Sequence, residues 1–226
     1  MIICTHIYPI FATMTSERSE RLNAVLAKRQ PGITVVLENV SDPHNISAVM
    51  RTCDAIGIQD IYVLNTAIEK HKKWGAKSSS SAAKWLTVHQ FTDVKACFDE
   101  LRKHYKKIYT THLSSDAVDL YDIDLTESVA LVFGNEHAGV SNELIERCDG
   151  NFIIPQVGII KSLNISVACA VTMYEAYRQR FIKGFYGENN PNDASTKQII
   201  LETYMERNKQ KDRVRSVPVI KNNYDK

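Results

Sequence analysis

ITVVLENVSDPHNISAVMRTCDAIGIQDIYVLN, residues 33–65, is the stretch that decides the fold. Its first eight residues are β-rich and open on a mostly apolar run to Leu37, the pattern of a strand buried on both faces rather than one with a wet side. Asp42-Pro43-His44-Asn45 then supplies turn chemistry and a helix cap, and the apolar residues that follow recur at helical spacing to about Ile56. Gly57 stops the helix, and IYVLN at 61–65 reads as the next strand. A strand, a helix and a second buried strand in so short a length form a βαβ unit, which requires a parallel sheet.

The pattern continues downstream. An amphipathic helix is expected over 92–104, with Val94, Phe98 and Leu101 on one side. Strands are expected at 107–113, 129–134 and 151–155, a short helix at 142–148, and a long helix over 163–182. Upstream, residues 16–30 predict a helix capped by Ser16, with Leu22, Val25 and Leu26 at helical spacing and Pro31-Gly32 as its stop. A serine run at 78–81 reads as a mobile loop, 195–211 as a further helix, and the basic end as a tail without order. The fold class is therefore α/β, a mainly parallel sheet with helices on both faces and short helical extensions at either end. We divide the chain into residues 1–13, an extension of doubtful status; 14–32, an N-terminal helical extension; 33–185, the sheet domain; and 186–226, a basic C-terminal extension.

Composition narrows the function. At 226 residues and 44% hydrophobic, the chain suits one such domain. No segment approaches the ~20 consecutive apolar residues of a membrane helix, and residues 1–13 lack the basic flank of a signal peptide. Five cysteines without a CxxC pair predict free thiols in a reducing cytoplasm, with no disulfide framework and no zinc site. The net charge of +2 hides a partition: +2 over 15–30, −5 over 31–177 and +5 over 178–226. Basic ends on an acidic body suit a polyanionic partner, although solvated tails alone would give the same numbers.

Three segments carry candidate chemistry. GNEHAGVS at 134–141 follows a strand and has the glycine spacing of a phosphate loop, but Val140 occupies the lysine position, so nucleotide hydrolysis fails. What remains is a strand-end loop bearing one carboxylate, Glu136. SLNISVACA at 162–170 opens the long helix with Ser162 or Asn164 as cap, and its small residues allow close helix packing. HNISAVMRTCDAIG at 44–57 holds Asn45 and Arg51, which six helical positions separate by about 120°, so spacing alone does not join them.

The order of these three segments is specific. Asn45 and Arg51, then GNEHAG, then IIP and SLN at 153–164, resembles the three signature motifs of the SPOUT class of RNA methyltransferases. RQPGITVVLENVSDPHNISAVMRTCDAIGI, THLSSDAVDL, IIPQVGIIKSLNISVACAV and YEAYRQR are similar to its TrmH family, and the resemblance covers roughly residues 14–185. It implies a C-terminal trefoil knot, which periodicity would never suggest because knots are nearly absent from proteins. It also implies a homodimer with each active site at the subunit boundary, S-adenosyl-L-methionine (AdoMet) as methyl donor, and a tRNA ribose 2'-hydroxyl, that of guanosine 18, as acceptor. Carried over by position, Thr111, Gly134, Ile154 and Leu163 line the AdoMet pocket. Asn45, Arg51, Glu136, Ser162 and Asn164 form the catalytic and substrate-ordering set. In that family the arginine is cast as general base, but a guanidinium with a pKa above ~12 accepts protons poorly. Arg51 is better suited to clamping a phosphate and polarising the hydroxyl. Relatives acting on rRNA commonly carry a large N-terminal RNA-binding domain, whereas only about thirty residues precede Ile33 here, which favours tRNA. A non-catalytic RNA-binding relative would have no chemical reason to keep Arg51, Glu136 and Asn164 together.

Overall fold

The computed structural model describes residues 15–69, 82–209 and 219–220. In chain order its elements are α1 (Ser16–Leu26), β1 (Ile33–Glu38), α2 (Pro43–Ile56), β2 (Asp60–Leu64), β3 (Thr87–Phe91), α3 (Val94–His104), β4 (Lys107–Thr111) and β5 (Val118–Asp119), followed by β6 (Val129–Phe133), α4 (Asn142–Arg147), β7 (Gly150–Ile153), α5 (Ile165–Ile182), α6 (Ala194–Lys209) and β8 (Val219–Ile220). The strands form one sheet in the order β5-β7-β4-β6-β1-β2-β3-β8, and every neighbouring pair is parallel. β1 and β6 lie side by side in the middle, with every residue of both buried.

Helices cover both faces. On one face α2 and α5 pack together over the sheet, burying Met50 and Cys53 against a core that includes Cys169 and Met173. On the other face α3 and α4 cover Val36, Tyr62, Ala130 and Val132 through Phe98, Leu101 and Leu144. The α2 boundaries follow from their caps. Asp42 accepts a hydrogen bond from the His44 amide at 2.8 Å, and Gly57, at φ +89°, ends the helix in the left-handed region. A side chain at Gly57 would lie 2.5 Å from the Lys28 carbonyl oxygen, so the turn after α2 is also where the N-terminal segment docks.

Three differences from the sequence reading have physical causes. Helix α1 is capped at Thr15 with no side-chain bond, rather than by Ser16, and it closes at Leu26 well before Pro31. Strand β3 is absent from the sequence reading, because TVHQF alternates weakly and lies beside the serine-rich run. Within the turn and cap expected at 42–45, Asp42 is the residue that caps α2, which leaves the Asn45 side chain available for another partner. The C-terminal region returns two residues, Val219 and Ile220, to the sheet beside β3. The mobile loop expected at 78–81 lies outside the described residues.

Buried arginines hold the ends onto the body. Arg180 of α5, 1% exposed, donates to the carbonyls of Leu125, Glu127 and Gly32 at 2.7–2.9 Å and to Gln30 Oε1 at 3.3 Å. Burial pulls its pKa down to about 10, and the ring of oxygens is what lets a cation sit there. Arg29 donates to Asp54 Oδ1 at 2.6 Å, to the Ile58 carbonyl at 3.0 Å and to the Tyr204 hydroxyl at 2.9 Å, and that hydroxyl donates to Gln59 Oε1 at 2.8 Å. Tyr204 of α6 thus joins a network shared by the end of α1, α2 and the start of β2. Tyr204→Phe should lower stability by about 1–3 kcal/mol, since it strands a buried donor and a buried acceptor at once. Urea unfolding would check this, and an unchanged midpoint would mean that α6 is not anchored through this hydroxyl.

Candidate active site

Because all strands are parallel, their carboxyl ends share one edge of the sheet, which is where ligands bind in such folds. The loops after the adjacent strands β7, β4 and β6 meet there around a cavity of about 640 Å³, and the loop after β1 reaches its rim through Glu136. Phe133, Phe152 and Ile154 give it apolar walls, and Thr111, Glu136, Lys161 and Ser162 supply polar groups. Six of the nine residues expected at the site line this cavity: Thr111, Gly134, Glu136, Ile154, Ser162 and Leu163.

The loop after β6 is pinched shut. Asn135 and Gly139 exchange two backbone hydrogen bonds of 2.9 Å, and Asn135 Oδ1 accepts from the His137 and Ala138 amides at 2.9 and 3.0 Å. Gly134 is required by this closure, since a Cβ there would lie 2.2 Å from the Gly139 carbonyl carbon and oxygen. Glu136 stands at the turn, with both oxygens engaged. Oε1 accepts from Asn45 Nδ2 at 2.8 Å, while Oε2 accepts from Ser41 Oγ at 2.9 Å and the Ser41 amide at 3.3 Å. Partial burial pushes its carboxyl upward, but the bonds from Asn45, its own backbone and Ser41 outweigh this and hold it below the usual glutamate range. The group is an anion at neutral pH.

Asn164 closes the chain of contacts. Its Oδ1 caps α5, accepting from the Ser166 amide at 2.9 Å, while its Nδ2 donates to Asn45 Oδ1 at 3.2 Å. Asn164, Asn45 and Glu136 therefore form one hydrogen-bonded row joining α5, α2 and the 134–139 loop. Arg51 is exposed on α2, further along the helix than Asn45 and outside the residues that line the cavity. Ser41 and Asn135 do not stand out in the sequence, because serine and asparagine in loops read as turn formers. Among the described residues no cluster of histidine, cysteine, aspartate or glutamate is arranged to hold a metal. The described cysteines are free, and burial pushes the thiols of Cys53 and Cys148 up to about 12.

Residues 32–174, which hold the sheet core, this loop and the row of three side chains, match the SpoU rRNA methylase family. The chain belongs to the SpoU family. It is 40% identical over 172 residues to the tRNA (guanosine(18)-2'-O)-methyltransferase of Thermus thermophilus, covering 76% of this chain and 88% of the relative. Its structure is similar to that of the Aquifex aeolicus TrmH/SpoU tRNA modifying enzyme, with a TM-score of 0.78, 35% identity, and coverage of 85% of this chain and 96% of that one. The SpoU methyltransferase AviRb of Streptomyces viridochromogenes, crystallised with the cofactor AdoMet, matches at a TM-score of 0.61 and 27% identity, over 68% of this chain and 59% of that one.

Two loop glycines separate steric from conformational cost. Gly139 is held at φ +70°, and a methyl group added there would meet nothing within 4 Å, so Gly139→Ala should cost only the left-handed strain, about 1–2 kcal/mol. Gly134→Ala drives a methyl into backbone and should cost more, since overpacking alone takes about 1–3 kcal/mol and backbone cannot yield as a side chain does. Denaturant titration of both variants checks the order, and equal losses would contradict the pinched loop.

Proposed function

We propose that this SpoU protein transfers a methyl group from AdoMet to the ribose 2'-hydroxyl of a tRNA nucleotide, guanosine 18. The observation that carries the reading is the row Asn164–Asn45–Glu136 at the rim of the strand-end cavity, in a chain 40% identical to a tRNA guanosine-18 enzyme. The residues fit the methyl donor. The cavity lies within the ~300–1,000 Å³ usual for small-ligand sites, its apolar walls suit a purine, and polar residues such as Thr111, Glu136 and Ser162 lie among its lining.

When bound, AdoMet supplies an electrophilic methyl on a good leaving group. The protein's share is alignment and management of one proton. Thr111, Gly134, Ile154 and Leu163 hold the donor. Asn45, fixed by Glu136 on one side and Asn164 on the other, presents an oriented amide to the ribose. Ser162 lies at the same rim. Arg51, a permanent cation on an exposed helix face, clamps the phosphate next to the target ribose and polarises the 2'-hydroxyl. The methyltransferase domain on this reading is 33–185, with α1 and residues 186–226 as RNA-contacting extensions. Arg18 and Arg21 of α1 line a groove beside α6, which supports that role. A cytoplasmic location follows from the substrate, and no helix among the described residues is long and apolar enough to cross a membrane.

Two finer features belong to the same proposal. A homodimer is supported by an uncovered apolar stripe on α5, where Val167, Tyr174 and Phe181 recur every seventh residue, and by the loop residues Val157 and Ile159, which are 106% and 99% exposed. Arg51, outside its own chain's cavity, suits a site completed across a subunit boundary. A trefoil knot is supported by the path of the chain. After β6 it crosses on the α3–α4 face to reach β7, beyond β4, and then passes to the opposite face as α5.

With tritiated AdoMet and tRNA, the protein should label tRNA, and Arg51→Ala should cut transfer at least ~100-fold, as loss of a transition-state donor does. Calorimetric AdoMet binding should stay nearly intact in that variant, while sedimentation equilibrium should give about twice the chain mass of 25.6 kDa. Equal loss of AdoMet affinity would refute the assigned role of Arg51, and a monomer mass would refute the two-chain site.

A further inference from the structure

Glu136 is only partly buried, and a carboxylate in contact with water needs no protein donor to be stable as an anion. Three donors nevertheless reach it, two of them from Ser41 and one from Asn45. Their geometry is selective: one oxygen faces Asn45 and the other faces Ser41, so the carboxylate cannot rotate without losing a bond. That orientation passes onward. With its Nδ2 committed to an anion, the Asn45 amide cannot flip, and its Oδ1 is left to receive Asn164.

A second rung joins the same two segments. Asn135, adjacent to Glu136, donates through Nδ2 to the backbone carbonyl of Asn39 at 2.7 Å, two residues before Ser41. Asn39 holds a left-handed backbone at φ +49°, a conformation that is costly for a non-glycine residue. Its side chain offsets that cost, since Oδ1 accepts from the amides of Thr66 and Ala67, each at 2.9 Å, and Nδ2 donates to Thr66 Oγ1 at 3.0 Å. The loop after β2 thus braces the loop after β1, and the loop after β1 braces the loop after β6. Asn135 uses its side-chain oxygen to gather the turn amides of His137 and Ala138, so one residue both shapes the loop and ties it down.

We propose that Ser41 and Asn135 are positioning residues of this site: Ser41 holds the Glu136 carboxylate against Asn45, and Asn135 fixes the loop that carries it. The proposal rests on the methyl-transfer reading given above. Ser41 lies outside the residues that line the cavity, and Asn135, which lines it between Gly134 and Glu136, spends its side chain on the Asn39 carbonyl and the turn amides, so both act through Glu136. Ser41 is exposed, so its hydroxyl fills no core space that its loss would open.

The test uses the full chain carrying Ser41→Ala, Ser41→Thr or Asn135→Ala, alone and combined with Glu136→Gln. Single-turnover methyl transfer to tRNA is read together with the carbon-13 NMR titration of the Glu136 carboxyl, identified by its disappearance in Glu136→Gln. Ser41→Ala should slow transfer roughly tenfold, as loss of one hydrogen bond on a charged group does, and Ser41→Thr should restore the rate. Asn135→Ala should slow transfer at least as much as Ser41→Ala by releasing the turn that carries Glu136. In the Glu136→Gln background the same two changes should have less than about a twofold effect, because residues acting through one partner are not additive. The Glu136 titration midpoint should move up in both alanine variants and return in Ser41→Thr. Full additivity in the Glu136→Gln background, or an unmoved midpoint, overturns the proposal. Absence of transfer by the wild-type protein overturns the methyl-transfer reading instead, and the NMR midpoint then still decides whether these two side chains set Glu136.

Discussion

The carboxylate of Glu136 must sit where the loops after β1 and β6 and the start of α2 converge, and the geometry of the rim depends on its being held from two sides. Asn45 reaches it from α2, Ser41 from the loop after β1, and the pinched turn at Gly134 and Gly139 brings it into range. Asn164 extends the constraint to α5, because the same side chain that caps the helix also bonds Asn45. Helix placement and site geometry are therefore coupled through one residue, and α5 cannot shift along its axis without disturbing the row.

The sheet makes this convergence possible. Parallel strands deliver all their carboxyl ends to one edge, and the insertion of β6 between β1 and β4 puts the Glu136 loop beside the α2 entry. Helices α1, α5 and α6 are tied rigidly to this frame. Arg180 ties α5 to the segments before β1 and β6, and Arg29 and Tyr204 tie α1 and α6 to the turn after α2. These are satisfied buried polar groups, and each becomes expensive only when one partner is removed.

Much of this is legible in the sequence, for reasons that differ by element. The buried runs at 33–38 and 129–133 and the Asp42 and Gly57 punctuation are strong local signals, and the observed strands and helix follow them closely. Strand β3 escapes such a reading because TVHQF owes its place to pairing with β2, a long-range interaction that leaves little trace in composition. At the site, the Asn45, Glu136 and Asn164 motifs are readable as a set, but their hydrogen-bonded row is not, since helical spacing says nothing about a partner 91 or 119 positions away. The bracing roles of Ser41 and Asn135 are illegible for a different reason, although Asn135 lies within GNEHAG. Their residue types are common in loops, and only the tertiary contact distinguishes a turn former from a brace.

If the cavity and its row of side chains serve methyl transfer to one ribose of tRNA, the modification must fall on a single nucleotide. Nucleotide-resolution mapping tests this most directly: the protein is incubated with AdoMet and unmodified tRNA, and reverse transcription at limiting nucleotide concentration locates 2'-O-methyl sites. The expected result is a single stop at guanosine 18 that disappears with Arg51→Ala. A methyl group on a base, a stop confined to rRNA, or no modification of either RNA would contradict it.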